Sequence, residues 1–528
     1  MKQPSIRTLV IIAVALLLFA YLSPLGKIPL DTRGDESRRA LVTAEMVISG
    51  DYVTPTLNGQ PYFNKPPLYN WIIATFFYLA GGFSLFALRL PVILAVLAMG
   101  WAIYLFVKKY TGNALLAIVS ALVFATNGRI LIYDTLFGLI DLSFAVVVYV
   151  MMMLVFAYGE KKKHWHLFLI TYILCAIAYL MKGLPGPAHL AITLIVYAVM
   201  TRNFKMLFSI QHIAGILLFF GLLGTYYAVY FSVNKEVTAT ALFTKLLSES
   251  TDRTVVKYGV WQTIVHFFRF PLTMLYHYAP WMLLLTAMIR KDWLRTLHSH
   301  PFIAFNWWAF LANFLLYWTS PDTYPRYLFP FLPLLFTVVC WFFVEQTSLQ
   351  NWRRRIPEYI LVAVLALIAI ALLAVPFVPQ VQHLSNYVVK SIALALGLSI
   401  CVYFAYRHQN LRLVYVAIAL LVIRVGFNWF VIENRGAYDR MAAAKADSIT
   451  AITKGAPLYV LDSADRGNLD GTSFLIATRR NEILRIAPVK DSTAFYIADS
   501  ASLQGKNYTT YLYFESYYAP MLQLVKFK

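Results

Sequence analysis

Charge is scarce in this sequence and cysteine nearly absent. Asp, Glu, Lys and Arg make up 13% of its 528 residues, about half the share of an ordinary soluble chain. Together with 60% hydrophobic residues and a mean hydropathy of +0.64, that shortage excludes a soluble enzyme and a disordered scaffold. The three cysteines, Cys175, Cys340 and Cys401, fall inside apolar runs with no zinc or redox spacing and read as small buried hydrophobes. The alternating pattern of a β-barrel is missing, because the apolar residues run solid over membrane-spanning lengths. No internal repeat shows in these runs, which weakens the case for an inverted-repeat transporter. Acidic residues are few as well, 25 against 45 Lys and Arg. Such an excess invites a nucleic-acid reading, but its distribution along the chain is a topology signal.

The first apolar run, Thr8 to Leu25, follows Lys2 and Arg7 and precedes no small-residue cleavage site. It is expected to be an uncleaved first helix with a cytoplasmic N-terminus. Residues 68–82 are aromatic, follow Pro66-Pro67 and are short for a span. Laid along the interface, they let Lys108/Lys109, Lys161 to Lys163, Arg202/Lys205, Arg290/Lys291/Arg295, Arg353 to Arg355 and Arg407/Arg412 all fall inside. The remaining spans are expected near 87–107, 114–133, 141–158, 166–181, 187–200, 211–231, 271–289, 302–319, 327–344, 358–375, 386–406 and 413–431. With the first helix that makes about thirteen, which puts the C-terminus outside. Beyond Glu433 charges become frequent and short β-prone runs appear at 458–461, 495–498 and 511–514. The expected organisation is a transmembrane domain over 1–432, its first exoplasmic loop at 26–86, and a soluble exoplasmic domain, α/β or α+β, over 433–528.

The chemistry-bearing residues gather on the outer side. Asp35 and Glu36 open an amphipathic helix, where acids also suit the helix dipole. A capping role leaves the flanking Arg33, Arg38 and Arg39 unexplained, and carboxylates among cations stay ionised, as a general base must. Asp141 begins the fourth span on the same face, with Asp134 as its competitor. If Asp35 and Asp141 converge, they can share a proton, a metal or a sugar hydroxyl. Lys65, beside two prolines at the bilayer surface, would ordinarily snorkel. Lys182 lies where Gly183, Pro185, Gly186 and Pro187 break a helix, and exposed backbone amides beside a cation make a phosphate site. Arg326, followed by Tyr327, repeats the theme at the outer end of another span. Outward cations beside a hydrophobic groove suit a lipid carrying a phosphate. The stretch 232–266, with Glu249, Asp252, Arg253, Lys257 and Tyr258, is long enough to be a lid. Glu249, His266 and His277 have no metal-ligand spacing.

The run Gly34-Asp35-Glu36-Ser37-Arg38, then Glu45-Met46, Ser49 to Pro55, Asn58-Gly59 and Tyr62-Phe63-Asn64-Lys65-Pro66-Pro67, is similar to the first exoplasmic loop of the ArnT-like glycosyltransferases. These belong to the GT-C superfamily and are relatives of the protein O-mannosyltransferases. The likeness continues through Leu88-Arg89-Leu90-Pro91, the Asp141 region, Met181-Lys182-Gly183 and Tyr324-Pro325-Arg326-Tyr327. It implies a polytopic α-helical protein of GT-C type in the bacterial inner membrane, with a small periplasmic C-terminal domain. The implied reaction moves a monosaccharide from a polyprenyl-phosphate donor to lipid A, another cell-surface glycan or a protein, inverting the anomeric centre. By the resemblance Asp35 is the catalytic acidic residue, Asp141 the second acidic position, with Glu36 grouped beside them. Lys65 is the lysine near the lipid phosphate, and Lys182, Arg326, Arg38 and Tyr327 are assigned to the same ligand. No cofactor is required; a divalent metal stays open, with Asn64 standing where relatives often carry Glu. Leu142-Ser143 replaces the usual Pro or Ala after the second acid. The expected partners are the donor, the acceptor and membrane lipids, with no nucleic acid and a monomeric chain. A flippase for a phosphorylated polyprenyl lipid and a membrane-anchored sensor are the competing classes.

Overall fold

The structure is a computed structural model that describes residues 5–251, 255–465, 467–489, 492–515 and 521–528. Helices form where apolar runs predict them, among them Ile6–Leu22, Leu85–Thr111, Ile140–Glu160, His164–Lys182, Pro185–Thr201, Ile210–Val233, Pro301–Trp318, Leu332–Val344, Trp352–Ala374, Tyr387–Arg407 and Arg412–Phe430. Their starts are set by local chemistry. Ser5, Ser84, Asn113, Ser209 and Asn351 each accept a backbone N–H in the first turn, and Pro185 and Pro301 open their helices where a missing N–H costs nothing. Among the described residues, seven helices are long and apolar enough to cross a membrane, and an eighth counts if a bent pair is one span. The other expected spans are shorter or interrupted.

Two interruptions depart from the sequence reading, and they have one cause. The run expected at 114–133 is a helix, Ala114–Ala125, followed after a 51° bend by Gly128–Leu136. The run expected at 271–289 belongs to a helix, Val255–His277, that ends before a 3-10 turn over Trp281–Met288. The two breaks meet. Gly128 N–H donates to the Ala279 carbonyl at 2.8 Å, and Trp281 Nε1 donates to the Thr126 hydroxyl at 3.0 Å. A Cβ on Gly128 would sit 2.9 Å from that carbonyl, so the close approach requires glycine. Hydropathy cannot show such breaks, because each span satisfies the backbone groups the other frees.

Leu68–Leu79 is twelve residues long, about 18 Å of helix against the roughly 30 Å of a bilayer core. It is pinned by Tyr69 Oη donating to the Leu139 carbonyl and Trp71 Nε1 to that of Tyr52, at 3.0 and 2.7 Å.

The C-terminal region forms a five-stranded mixed sheet, in the order Arg485–Ala487, Leu458–Leu461, Phe495–Asp499, Leu522–Phe527, Tyr508–Phe514. The first three strands are parallel, and the last two join antiparallel. Its inner face packs Val460, Ile497 and Leu524 against Ile449 and Ile476 of the helices Ala437–Ile452 and Asp470–Arg480. The three predicted β-prone runs are all strands; Arg485–Ala487 and Leu522–Phe527 are strands that the sequence reading did not name.

Candidate active site

Five chain segments converge on one polar cleft, with about 570 Å³ of space at its open mouth and interior taken together. They are the start of Asp35–Ser49, the extended segment at 62–65, the start of Ile140–Glu160, the end of His164–Lys182 and the turn Pro325–Leu328. Asp35 and Asp141 sit at helix N-termini because carboxylates are stabilised there. Lys182 sits where Gly183, at φ +83°, stops its helix.

The cleft holds a chain of ion pairs. Arg326 Nη2 lies 2.6 Å from Asp35 Oδ2 and Arg326 Nε 3.4 Å from Asp141 Oδ2, while Lys182 Nζ meets Asp141 Oδ1 at 2.6 Å. Asp35 and Asp141 therefore converge, but Arg326 bridges them and they share no proton. Lys182 also stands 4.5 Å above the ring of Tyr327, and Arg326 4.7 Å from that of Tyr324. The Asp35 side chain stays 56% exposed, whereas that of Asp141 is 7% exposed. Asp35 is thus the carboxylate a second substrate can reach.

Five cationic side chains line the cleft, Arg38, Arg39, Lys65, Lys182 and Arg326, against two carboxylates. Arg38 is matched from outside, its Nε 2.9 Å from Asp470 Oδ2. Among the described residues, Lys65 makes no hydrogen bond or ion pair. Burial, then the neighbouring charges of Lys182 and Arg39, push its ammonium down to about 8. Lys65 also lines an aromatic recess with Phe63, Tyr226, Tyr227 and Tyr230. It joins a polar chamber to an apolar one.

Other expected residues fall elsewhere. Glu36 is 1% exposed and forms a two-point pair with Arg89, at 2.7 and 2.9 Å. It also accepts the Gly138 and Asp31 N–H groups, at 2.7 and 3.1 Å, and does not line the cleft. Its geometry is that of a fastener between the first loop and the membrane helices. Asp134 is held by Arg129 at 2.7 and 3.1 Å, also outside the cleft, which leaves Asp141 as its second carboxylate. The stretch expected as a lid is largely helical, and Leu242 of Ala239–Thr251 lines the aromatic recess. Asp252 and Arg253, and the Glu249 side chain, lie outside the described residues.

Arg39 was read from the sequence only as one of the cations flanking Asp35, with no role at the site. It is 4% exposed and donates from Nη2 to the Tyr62 hydroxyl, while Nη1 is buried without a hydrogen-bond partner. The local pattern marks it as a cation beside Asp35, but a buried arginine three positions from an acid on a helix is ordinary, so its place in the cleft is set by packing. Among the described residues no group of three His, Cys, Asp or Glu could hold a metal. Both cleft carboxylates are already engaged by cations, and Asn64 is a weak substitute for a third, so the residues present do not suit a divalent ion.

The sequence and the fold have counterparts. Residues 64–228 match the family model described as dolichyl-phosphate-mannose-protein mannosyltransferase, a stretch that contains Lys65, Asp141 and Lys182. An undecaprenyl phosphate-alpha-4-amino-4-deoxy-L-arabinose arabinosyl transferase of Proteus mirabilis is 30% identical over 210 residues, 38% of this chain and 37% of that protein. The protein of that name from Edwardsiella ictaluri is 25% identical over 321 residues, 57% of this chain and 53% of its own. The chain thus spans about half the length, or less, of these curated relatives. The crystal structure of ArnT from Cupriavidus metallidurans bound to undecaprenyl phosphate superposes over 99% of this chain and 98% of its own, with TM-score 0.72 and 18% identity. The chain therefore shares the fold of that structure, with a small C-terminal β domain.

Proposed function

We propose that the chain transfers a monosaccharide from a polyprenyl-phosphate donor to a hydroxyl-bearing acceptor. The carrying observation is Lys65, a cation unpaired among the described residues and standing between an electropositive cleft and an aromatic recess. A lipid phosphate supplies both an anion for the first and isoprenoid for the second. In the reaction, the acceptor hydroxyl gives its proton to the Asp35 carboxylate as its oxygen bonds to the anomeric carbon. The bond from that carbon to the phosphate oxygen breaks, and the electron pair leaves with the polyprenyl phosphate. Lys65, Lys182 and Arg326 stabilise that departing charge, and Asp141 holds the latter two in place. Tyr327 and Arg38 line the same chamber. A single displacement inverts the anomeric centre.

The likeness to arabinosyl transferases and to ArnT supports this reading, as does the placement of the cleft. The helices Leu85–Thr111, Ile140–Glu160 and Pro185–Thr201 start near the cleft and end at Lys108/Lys109, Lys161 to Lys163 and Arg202/Lys205. By the positive-inside rule the cleft then faces the periplasm of a bacterial inner membrane, with the N-terminus cytoplasmic. The chain works as a monomer divided into a transmembrane part, 1–432, and a periplasmic part, 433–528.

Native mass spectrometry with added undecaprenyl phosphate tests the donor site. Wild type is expected to retain the lipid and Lys65→Ala to bind it about 10- to 100-fold more weakly, the range for a charged hydrogen bond. Equal retention by both, or none by folded wild type, would discard the phosphate site.

A further inference from the structure

Asn58 holds a buried polar atom that the reaction above does not use. It stands at φ +54° in the turn joining Thr56–Leu57 to Gln60–Pro61 and is 4% exposed. Among the described residues its side-chain oxygen, Oδ1, has no hydrogen-bond partner. The turn around it is held firmly. The Glu45 carboxylate accepts the Thr56 hydroxyl at 2.6 Å and the Asn58 and Gly59 N–H groups at 2.7 and 3.1 Å. The Asn58 carbonyl accepts Ile486 N–H at 3.2 Å, which ties the hairpin to the C-terminal sheet. A buried acceptor left open on so constrained a loop can take a donor from a water or from a ligand.

Asn58 lines a second cleft, about 710 Å³ of space between this hairpin and the C-terminal region. Gln60, Arg38 and Asp470 supply its other polar wall, with Leu57 and Ile486 as apolar surface. Arg38 and Tyr62 line this cleft and the candidate active site alike, so the two abut across them. The Arg38–Asp470 pair, at 2.9 Å, crosses from the first loop to the C-terminal helix at that boundary.

We propose that this second cleft is the acceptor subsite and takes a hydroxyl-rich glycan headgroup. The inference rests on the glycosyl-transfer reading and gives the C-terminal region a part in it. Side-chain amides set among aliphatic walls match a sugar, which presents O–H donors and C–H faces together. An anionic headgroup suits the cleft less well, because Asp470 already matches Arg38. An extended peptide would need a hairpin edge with free N–H groups, and Pro61 has none. A glycan hydroxyl donates to Asn58 Oδ1 while its neighbour reaches past Arg38 toward Asp35.

Hydrogen–deuterium exchange of the full chain in nanodiscs tests this with two probes, undecaprenyl phosphate and deep-rough lipopolysaccharide. Lipopolysaccharide is expected to slow exchange over 56–60 and 485–487, and undecaprenyl phosphate over 62–65. Asn58→Gly, which keeps the left-handed backbone and removes the amide, should raise the lipopolysaccharide concentration needed for protection about tenfold. Gln60→Ala, at an exposed position where folding is not at stake, should raise it in the same direction. Neither should alter protection by undecaprenyl phosphate. With that lipid bound normally, absence of lipopolysaccharide protection, protection elsewhere, or indifference to both substitutions would overturn the acceptor subsite. Failure of wild type to bind undecaprenyl phosphate would instead overturn the transfer reading, and this inference with it.

Discussion

Two buried charge clusters lie at opposite ends of the membrane helices. At the basic end, Glu358 is 1% exposed and sits between Arg354 and Arg412. Arg354 Nε meets it at 3.0 Å, Arg354 Nη1 also reaches three backbone carbonyls, and Arg412 Nε donates to the Ala405 carbonyl at 2.9 Å. That cluster is closed: every element around it is tied to another, and the surplus charge is spread over carbonyls. At the opposite end, five cations face two carboxylates, and Lys65 has no partner among the described residues. Both clusters are buried and arginine-rich, so neither property marks a site. Incomplete neutralisation beside open space does.

The contrast can be broken from either end. The largest effect is expected from Asp35→Asn, which should lower transfer about 10²- to 10⁴-fold, the usual contribution of a general base, while polyprenyl phosphate is still retained. A product assay beside native mass spectrometry checks both halves. Full activity in that variant would remove Asp35 from the chemistry. Glu358→Ala should act on stability instead, leaving two buried guanidiniums without a counter-charge at a cost of about 3–5 kcal/mol. Thermal unfolding in detergent reads that loss, and the fraction still folded should bind donor lipid as wild type does. A drop in donor affinity without a drop in stability would mean the two clusters are coupled.

The smallest effect is a pH dependence. Lys65 is charged below about 8 and neutral above it. An anionic phosphate binds the charged form, so donor affinity should fall as pH rises through that value. Lys65→Arg, which stays protonated across the same range, should flatten the profile. A wild-type profile already flat between pH 7 and 9 would take Lys65 out of the phosphate contact.

Much of the candidate site could be read from single residues. Asp35, Lys65, Asp141, Lys182 and Arg326 each stand beside a helix end or a Gly or Pro break, where a charge at the membrane surface needs a reason. Glu36 shows the limit of that reading. It adjoins Asp35 in sequence, but consecutive helical residues point about 100° apart, so one carboxylate faces the cleft and the other Arg89. Arg39 and Asn58 carry no local mark of their unpaired atoms, which come from what packs over them.

Hydropathy was enough to locate most of the helices, because it is a sum over neighbouring residues. The bend after Ala125 and the break before Pro280 depended on Gly128 meeting Ala279, a contact between distant segments. The charge balance of the cleft was likewise a tertiary matter. Asp35 and Arg326 are 291 positions apart in the chain and 2.6 Å apart in space. Whether an ion pair closes or a cation is left free depends on distances that only packing sets.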